Sequence, residues 1–450
     1  MRLTVQPLEI GEDEGFSDDK DIFKRKAFGE RLTNLVENTD GELVIALDAP
    51  WGEGKSTFVK MWRGHLKNKN NGVHSIYFDA FENDHQKSAF LTLAGEIYNS
   101  IDKTTEKSAF EQKVLSAAKT GGSIGLDILA RILSGGALSG EILEGHAKKI
   151  IGDKTADAMD NMDRYVSHSL KSVSANKIAI RGFKEYLEAL PQKLSYNGKS
   201  IVFIIDELDR CKPTFALEIV EIVKHLFAVP NIIFVLVMNR TQLEASVRNE
   251  YGTADASKYL QKFINLWVSL PKVHVSDERT TKVYLRYCVK KMGMDPQNPN
   301  EEEWIKNFEE LVIYYNLSLR EIERSLTNFS FLRIGLENVL NYSYRWISVY
   351  LCIIKVRYSD EYHKLLATKI EYSELFKKTH LIDLQTNWIV PGEKVIEGHP
   401  LKWLLRYYLS SEAQKDELLS AGNPIGAIDL SMSKNAIENI SRWLDSFRTR

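Results

Sequence analysis

Between Ala49 and Thr57 the chain reads APWGEGKST, with two glycines and a lysine at the joint between an apolar run and a stretch of helical spacing. A helix that begins directly after a strand offers unpaired N–H groups and the positive end of its dipole. Glycine lets the backbone close on an anion that a Cβ would hold off. A lysine at the helix start adds a point charge for β- and γ-phosphates, and a neighbouring hydroxyl can ligate Mg²⁺. Gly52, Gly54, Lys55 and Ser56 fill those places, and Pro50, Trp51, Glu53 and Thr57 complete the nucleotide-binding candidates. The Walker A pattern G-x-x-x-x-G-K-[ST] is met except at Ala49, where its first glycine would stand. That position shapes the turn rather than touching phosphate.

A second site gives the loop its meaning. The run IVFIIDELD ends an apolar strand on Asp206 and Glu207. A phosphate-loop enzyme needs an acid there to hold Mg²⁺ through water, and a second carboxylate to orient the attacking water. Asp206, with Ser56, is therefore the metal candidate of a Walker B site, and Glu207 the candidate general base. In open parallel sheets both sites lie at the C-terminal ends of the strands. The pair points to a nucleoside triphosphate with Mg²⁺.

Other candidates carry two readings each. Asn239 ends the strand FVLVMN and can sense a γ-phosphate or cap the following helix. Arg210 can reach a neighbouring subunit's phosphate or pair with Asp209, the latter being favoured. Arg320 and Arg324 lie four apart on one helical face beside Glu321 and Glu323. One of them, with Arg320 the named candidate, can contact the γ-phosphate, or both are solvated charges. Trp51 is expected to pack rather than to stack on a base. The stretch Arg279–Gly293 mixes Lys and Arg with tyrosines, which suits a nucleic-acid patch but is more simply a solvated helical face.

The elements that must position these residues follow from hydropathy. Strands are expected at Gly41–Ala49, Val73–Phe81, Ser200–Arg210 (an apolar run that stops at acids), Asn231–Arg240 and Asn265–Pro271, alternating with helices. In the first helix Phe58, Met61, Trp62 and Leu66 share a face. That alternation predicts an α/β fold, a core of about five mostly parallel strands flanked by helices. Beyond Pro271 strand signals fade and helical spacing takes over. The expected division is a nucleotide-binding core over residues 1–272, with a Gly-rich and helical insertion at about 105–195, and a helical domain over 273–450.

Length and composition agree. The 450 residues exceed what one core holds, and 44 % hydrophobic with 27 % charged residues is ordinary for a globular chain. A net charge of −2 provides no global field for nucleic acid. The three cysteines form no zinc or disulfide pattern. The N-terminus lacks the apolar core of a signal peptide, so a cytoplasmic setting is expected. The Gly-rich stretch Val114–Gly145 is interrupted by Lys119, Asp127, Arg131 and Glu141. No transmembrane span is expected there, while an interfacial helix with peripheral membrane contact stays open.

APWGEGKST together with IIDELDRCKP resembles the KAP family of P-loop NTPases, Trp51 and the Asp209–Arg210 pair being the features that separate it from generic phosphate-loop proteins. DIFKRKAFGERL, IYFDAFEND, YLQKFINLWVSLP and SLREIERSLTNF match in family order, so the resemblance covers roughly Asp21 to Phe329. The family more often has Trp where Phe81 stands, and its large insertion often carries transmembrane helices, a membrane-bound pattern from which this sequence departs. The resemblance implies an extra strand between the loop strand and the Asp206 strand, and ATP rather than GTP. It also implies a role such as phage or plasmid exclusion, including the ATPase component of Qat-type systems, with self-association and a partner encoded nearby. Two functions stay open: an ATPase whose cycle moves the helical domain, or a nucleotide-gated assembly scaffold with little turnover. A membrane-associated signalling NTPase is a third reading.

Overall fold

The fold is taken from a computed structural model, which describes the chain outside residues 1, 7, 40, 70–72, 87, 102–103, 121–176, 196–198, 253–254, 272–277, 336–341, 368–369, 385–387, 390–394, 397, 421–435 and 447–450. Most of the Gly-rich stretch read above lies outside the described residues. No helix among the described residues is long and apolar enough to cross a membrane. The chain divides into two compact units, one of Ile10–Pro50 and Lys55–Pro271, the other of Met1–Glu9, Trp51–Gly54 and Lys272–Arg450.

In the first unit five strands, β1 (Leu43–Asp48), β2 (His74–Asp79), β3 (Ile201–Asp206), β4 (Ile232–Met238) and β5 (Leu266–Ser269), form one sheet in the order β2-β3-β4-β1-β5. Every pairing is parallel. β4 thus lies between the loop strand β1 and the Asp206 strand β3, the inserted strand that the resemblance implied. The central strands are apolar without a break because both faces are covered. Alternate residues serve the two faces. Val44, Phe78, Phe203 and Phe234 face one core, while Ile45, Val202, Ile204 and Val235 face the other.

The first face is covered by α3 (Ala89–Asn99), α4 (Thr104–Thr120), α5 (177–189), α6 (Pro213–Ile222) and α7 (Arg240–Tyr251). The second is covered by α1 (Lys26–Glu37) and α2 (Lys55–Asn68), where Phe58, Met61, Trp62 and Leu66 are all buried. Trp62 Nε1 donates to Thr33 Oγ1 at 3.0 Å, so even the indole N–H of this core is satisfied.

An N-terminal segment lies across α2. Glu12 pairs with Arg63, Asp13 with Lys67, and Asn68 Nδ2 donates to the Asp13 carbonyl at 2.8 Å. Phe16 packs on Phe58 with ring centroids 5.7 Å apart. The approach needs Gly64, where a Cβ would lie 2.4 Å from the Glu14 carbonyl carbon and oxygen. Gly64→Ala is therefore expected to displace the segment and to cost about 1–3 kcal/mol, the usual range for overpacking. Limited proteolysis should then cut near residues 11–16 while denaturant melts report the loss; unchanged cleavage and stability would count against this packing.

The second unit is built mainly of helices. Among them α8 (Glu278–Lys291), α9 (Pro299–Tyr314), α10 (Leu319–Gly335) and α11 (Tyr342–Arg357) pack on one another. α11 is buried along Val349–Ile354, and Trp304, Phe308 and Phe329 form an aromatic cluster. Arg333 forks onto both carboxylate oxygens of Glu301 at 2.7 and 2.8 Å. One element departs from the expectation of helices alone: Trp388–Ile389 pairs antiparallel with Val395–Ile396. Both short runs are aromatic or β-branched, the residue types that suit strand pairing.

Candidate nucleotide site

β1 ends at Asp48, the chain turns through Ala49–Gly54, and α2 begins at Lys55. Gly52 and Gly54 take φ of +85° and +76°, a left-handed backbone that residues with a Cβ rarely adopt. Gly52 also lies close to Arg320 of α10: a Cβ on it would stand 2.9 Å from Arg320 Cβ and 3.4 Å from its backbone nitrogen. Trp51 is 42 % exposed. Pro50 is exposed, Glu53 half-buried, and Thr57 half-buried in the first turn of α2.

Lys55 is buried, with Nζ donating to the carbonyls of Ala49 at 2.8 Å and Pro50 at 3.2 Å. Burial lowers the pKa of its ammonium, while Asp209, Glu207 and Asp206 pull it back up. The lysine is thus folded over its own loop, beside three carboxylates. Ser56 Oγ donates to Glu207 Oε1 at 2.8 Å, which joins the start of α2 to the end of β3 across the intervening strand.

Asp206 closes β3 with no exposed surface. Its Oδ1 accepts from the Glu207 N–H at 2.8 Å and its Oδ2 from the Tyr77 hydroxyl at 2.9 Å. Burial, and next the charge of Glu207, push its pKa up to about 6. Tyr77 lies on β2, and its register partner on β3 is Ile204. Asp206 is therefore the diagonal neighbour on the same face, within reach of a long side chain. Desolvation, then the charge of Asp206 and this hydrogen bond, hold the Tyr77 hydroxyl firmly protonated.

Glu207 sits in the left-handed region at φ 58°, ψ 26°, ahead of a single 3₁₀ turn over Leu208–Arg210. The turn returns Arg210, whose Nε meets Glu207 Oε2 at 2.6 Å. The Arg210 partner that the sequence favoured was Asp209; the geometry delivers Glu207, because residues three apart eclipse in a 3₁₀ turn. Asn239 accepts from the Thr241 N–H at 3.1 Å and so caps α7. Next to it Arg240 N–H donates to Asp48 Oδ1 at 2.8 Å, tying the ends of β4 and β1 together.

In the first unit, then, Lys55, Ser56, Asp206 and Glu207 converge at the C-terminal edge of the sheet. Arg320, in the second unit, is half-buried and packs on Gly52, while Arg324 on the same helix is exposed. The donors offered at Ser56 and Asp206 are hard oxygens, the kind Mg²⁺ takes, and Asp206's hydrogen-bond donors are all neutral groups, so the residues fit that ion. Among the described residues no group of three or more His, Cys, Asp and Glu is arranged to hold a metal by itself. Sequence reasoning missed Tyr77. Its only signal was a hydroxyl-bearing ring on the strand IYFD, two residues before the strand ends.

The chain is similar to two known proteins. The phage T7 exclusion protein of Escherichia coli (strain K12) is 21 % identical over 341 residues, covering 70 % of this chain and 42 % of that protein. The chain thus spans less than half the length of that relative. Solved structures of the Aeropyrum pernix ORC2 protein, as ADPNP–ADP complexes and in the ADP form, align over 95 % and 96 % of this chain and 99 % of theirs. Their identities are 13 % and 12 %, with TM-scores of 0.35 and 0.36. Residues 25–335 match the KAP family P-loop domain, more than half of the chain. On that match the protein belongs to the KAP family of P-loop NTPases.

Proposed function

We propose that this protein binds ATP with Mg²⁺ and hydrolyses it to ADP and phosphate, using the cycle to switch conformation or assembly. The observation that carries the reading is the 2.8 Å bond from Ser56 to Glu207, which brings the loop's hydroxyl and the strand-end carboxylates to one point. Mg²⁺, held by the Ser56 hydroxyl and through water by Asp206, would neutralise phosphate charge. Lys55 would leave the Ala49 and Pro50 carbonyls for the β- and γ-phosphates, and the N–H groups of Gly52–Thr57 would bind phosphate oxygens. Glu207 would orient the attacking water and accept its proton. Asn239, the polar residue that follows β4, and Arg320 are the proposed γ-phosphate contacts.

A second reading has its own support. Both oxygens of Glu207 are engaged, by Ser56 and by Arg210, so turnover waits on a rearrangement. A nucleotide-gated scaffold that turns over slowly until it assembles with itself or with a partner would use that delay. A role in phage defence is supported only by the likeness to the exclusion protein.

The test is ATP hydrolysis by the purified protein over a hundredfold range of concentration with Mg²⁺, beside Lys55→Ala. A rate per subunit that rises with concentration and vanishes in the variant is the expected result. ATP bound but uncleaved at every concentration would favour the scaffold. Hydrolysis retained by Lys55→Ala would sink the site assignment.

A further inference from the structure

We propose that Arg210 is a positioning residue that holds the Glu207 carboxylate in place within the same chain. The proposal rests on the reading of Glu207 as the base. It starts from the backbone. Glu207 occupies the left-handed region, where a side chain with a Cβ is disfavoured. Such a conformation persists only where its surroundings fix it. Here they do: Arg210 N–H donates to the Glu207 carbonyl at 3.1 Å, Leu208 beside it is fully buried, and the Glu207 N–H is bound to Asp206 Oδ1. The result aims the Glu207 side chain back over its own turn, where the guanidinium meets it.

The two carboxylate oxygens are then divided. Oε2 is taken by Arg210 at 2.6 Å and Oε1 by the Ser56 hydroxyl at 2.8 Å. When Ser56 turns to another ligand, Oε1 is released while Oε2 stays tethered. A carboxylate held by one oxygen and open at the other is what a base facing a water requires. The ion pair is also half-buried, with side-chain exposures of 35 % and 15 %, so it is less screened than a surface pair. An arginine committed to its own chain's glutamate is not available as a finger for a neighbouring subunit.

The experiment separates these roles. Arg210→Ala should lower kcat about tenfold to a hundredfold, part of the range a positioned base contributes, with KM changed less than about threefold. Arg210→Lys, which keeps the charge, should recover part of the rate. In the Glu207→Gln background the same Arg210→Ala change should alter the residual rate less than about twofold, since nothing is left to position. A merely structural arginine would lower the rate in both backgrounds. Mixing Arg210→Ala with Glu207→Gln should restore no activity; recovery in the mixture would show that Arg210 acts on a neighbour and would overturn the proposal, as would a wild-type rate in Arg210→Ala.

A readout without hydrolysis completes the test. Binding of a fluorescent ATP analogue without Mg²⁺ should weaken several-fold in Arg210→Ala, because Glu207 is left unneutralised beside the phosphates, and should return in the Arg210→Ala/Glu207→Gln double variant. Equal weakening in the double variant would overturn the pairing. If wild type alone never hydrolyses ATP, the scaffold reading is favoured, and this binding cycle still decides whether Arg210 holds Glu207.

Discussion

Glu207→Gln is expected to leave ATP bound and to cut its hydrolysis by about two to four orders of magnitude, the range typical of a lost general base. Glutamine keeps the length and an acceptor oxygen, so the Ser56 hydroxyl retains a partner where it now donates at 2.8 Å. What it loses is the ability to take a proton and the charge that meets Arg210 at 2.6 Å. Because that pair is partly exposed, its loss should cost stability no more than about 1 kcal/mol. Single-turnover hydrolysis and equilibrium binding of ATP are the two measurements. A variant that binds and does not cleave identifies Glu207 as the base. Turnover at the wild-type rate would leave Glu207 as no more than a partner of Ser56 and Arg210, and the base would have to be sought elsewhere.

Much of this site is legible in the sequence because it rests on local rules. An apolar run such as IVFIID cannot be solvated on either side, so it must be a central strand, and its acids must stand at the strand's end. Glycines beside Gly-Lys-Ser announce a left-handed turn, and Gly52 and Gly54 both have positive φ. What was not legible depends on register and on distant contacts. Tyr77 reaches Asp206 only because β2 pairs with β3 with Asp79 opposite Asp206, and no local pattern fixes that alignment. Arg320 lies against Gly52 within one compact unit, a contact between residues far apart in sequence that spacing could not reveal. The Arg210 partner was misjudged for a smaller reason: neighbouring Asp209 was nearer in sequence, but a 3₁₀ turn brings together residues three apart.

Asp206→Asn should act in opposite directions on function and on stability. The wild-type carboxylate has no exposed surface, and burial pushes its pKa from the ordinary 3.8 up to about 6. The sign follows from linkage. Near pH 5 the folded chain holds a proton there that the unfolded chain has released, so stability falls as pH rises from about 4 to about 6. Above that window the buried charge costs about 3 kcal/mol, at 1.36 kcal/mol per pKa unit. Asparagine removes the charge at little geometric cost. Its oxygen still accepts from the Glu207 N–H, and the Tyr77 hydroxyl, which donates at 2.9 Å in the wild type, can turn to accept from the amide. In EDTA at neutral pH the variant should therefore melt a few degrees higher than wild type, with the gap closing below about pH 4. Hydrolysis with Mg²⁺ should fall about a hundredfold or more, since the carboxylate that would hold the ion's water shell is gone. A buried carboxylate with no part in hydrolysis would give the stability gain without the loss of rate, and a variant that melted lower at neutral pH would mean that Asp206 already has a stabilising partner strong enough to outweigh its burial. Opposite signs in the two assays are what a charge retained for a ligand must produce, because the fold bears its cost until the ligand arrives.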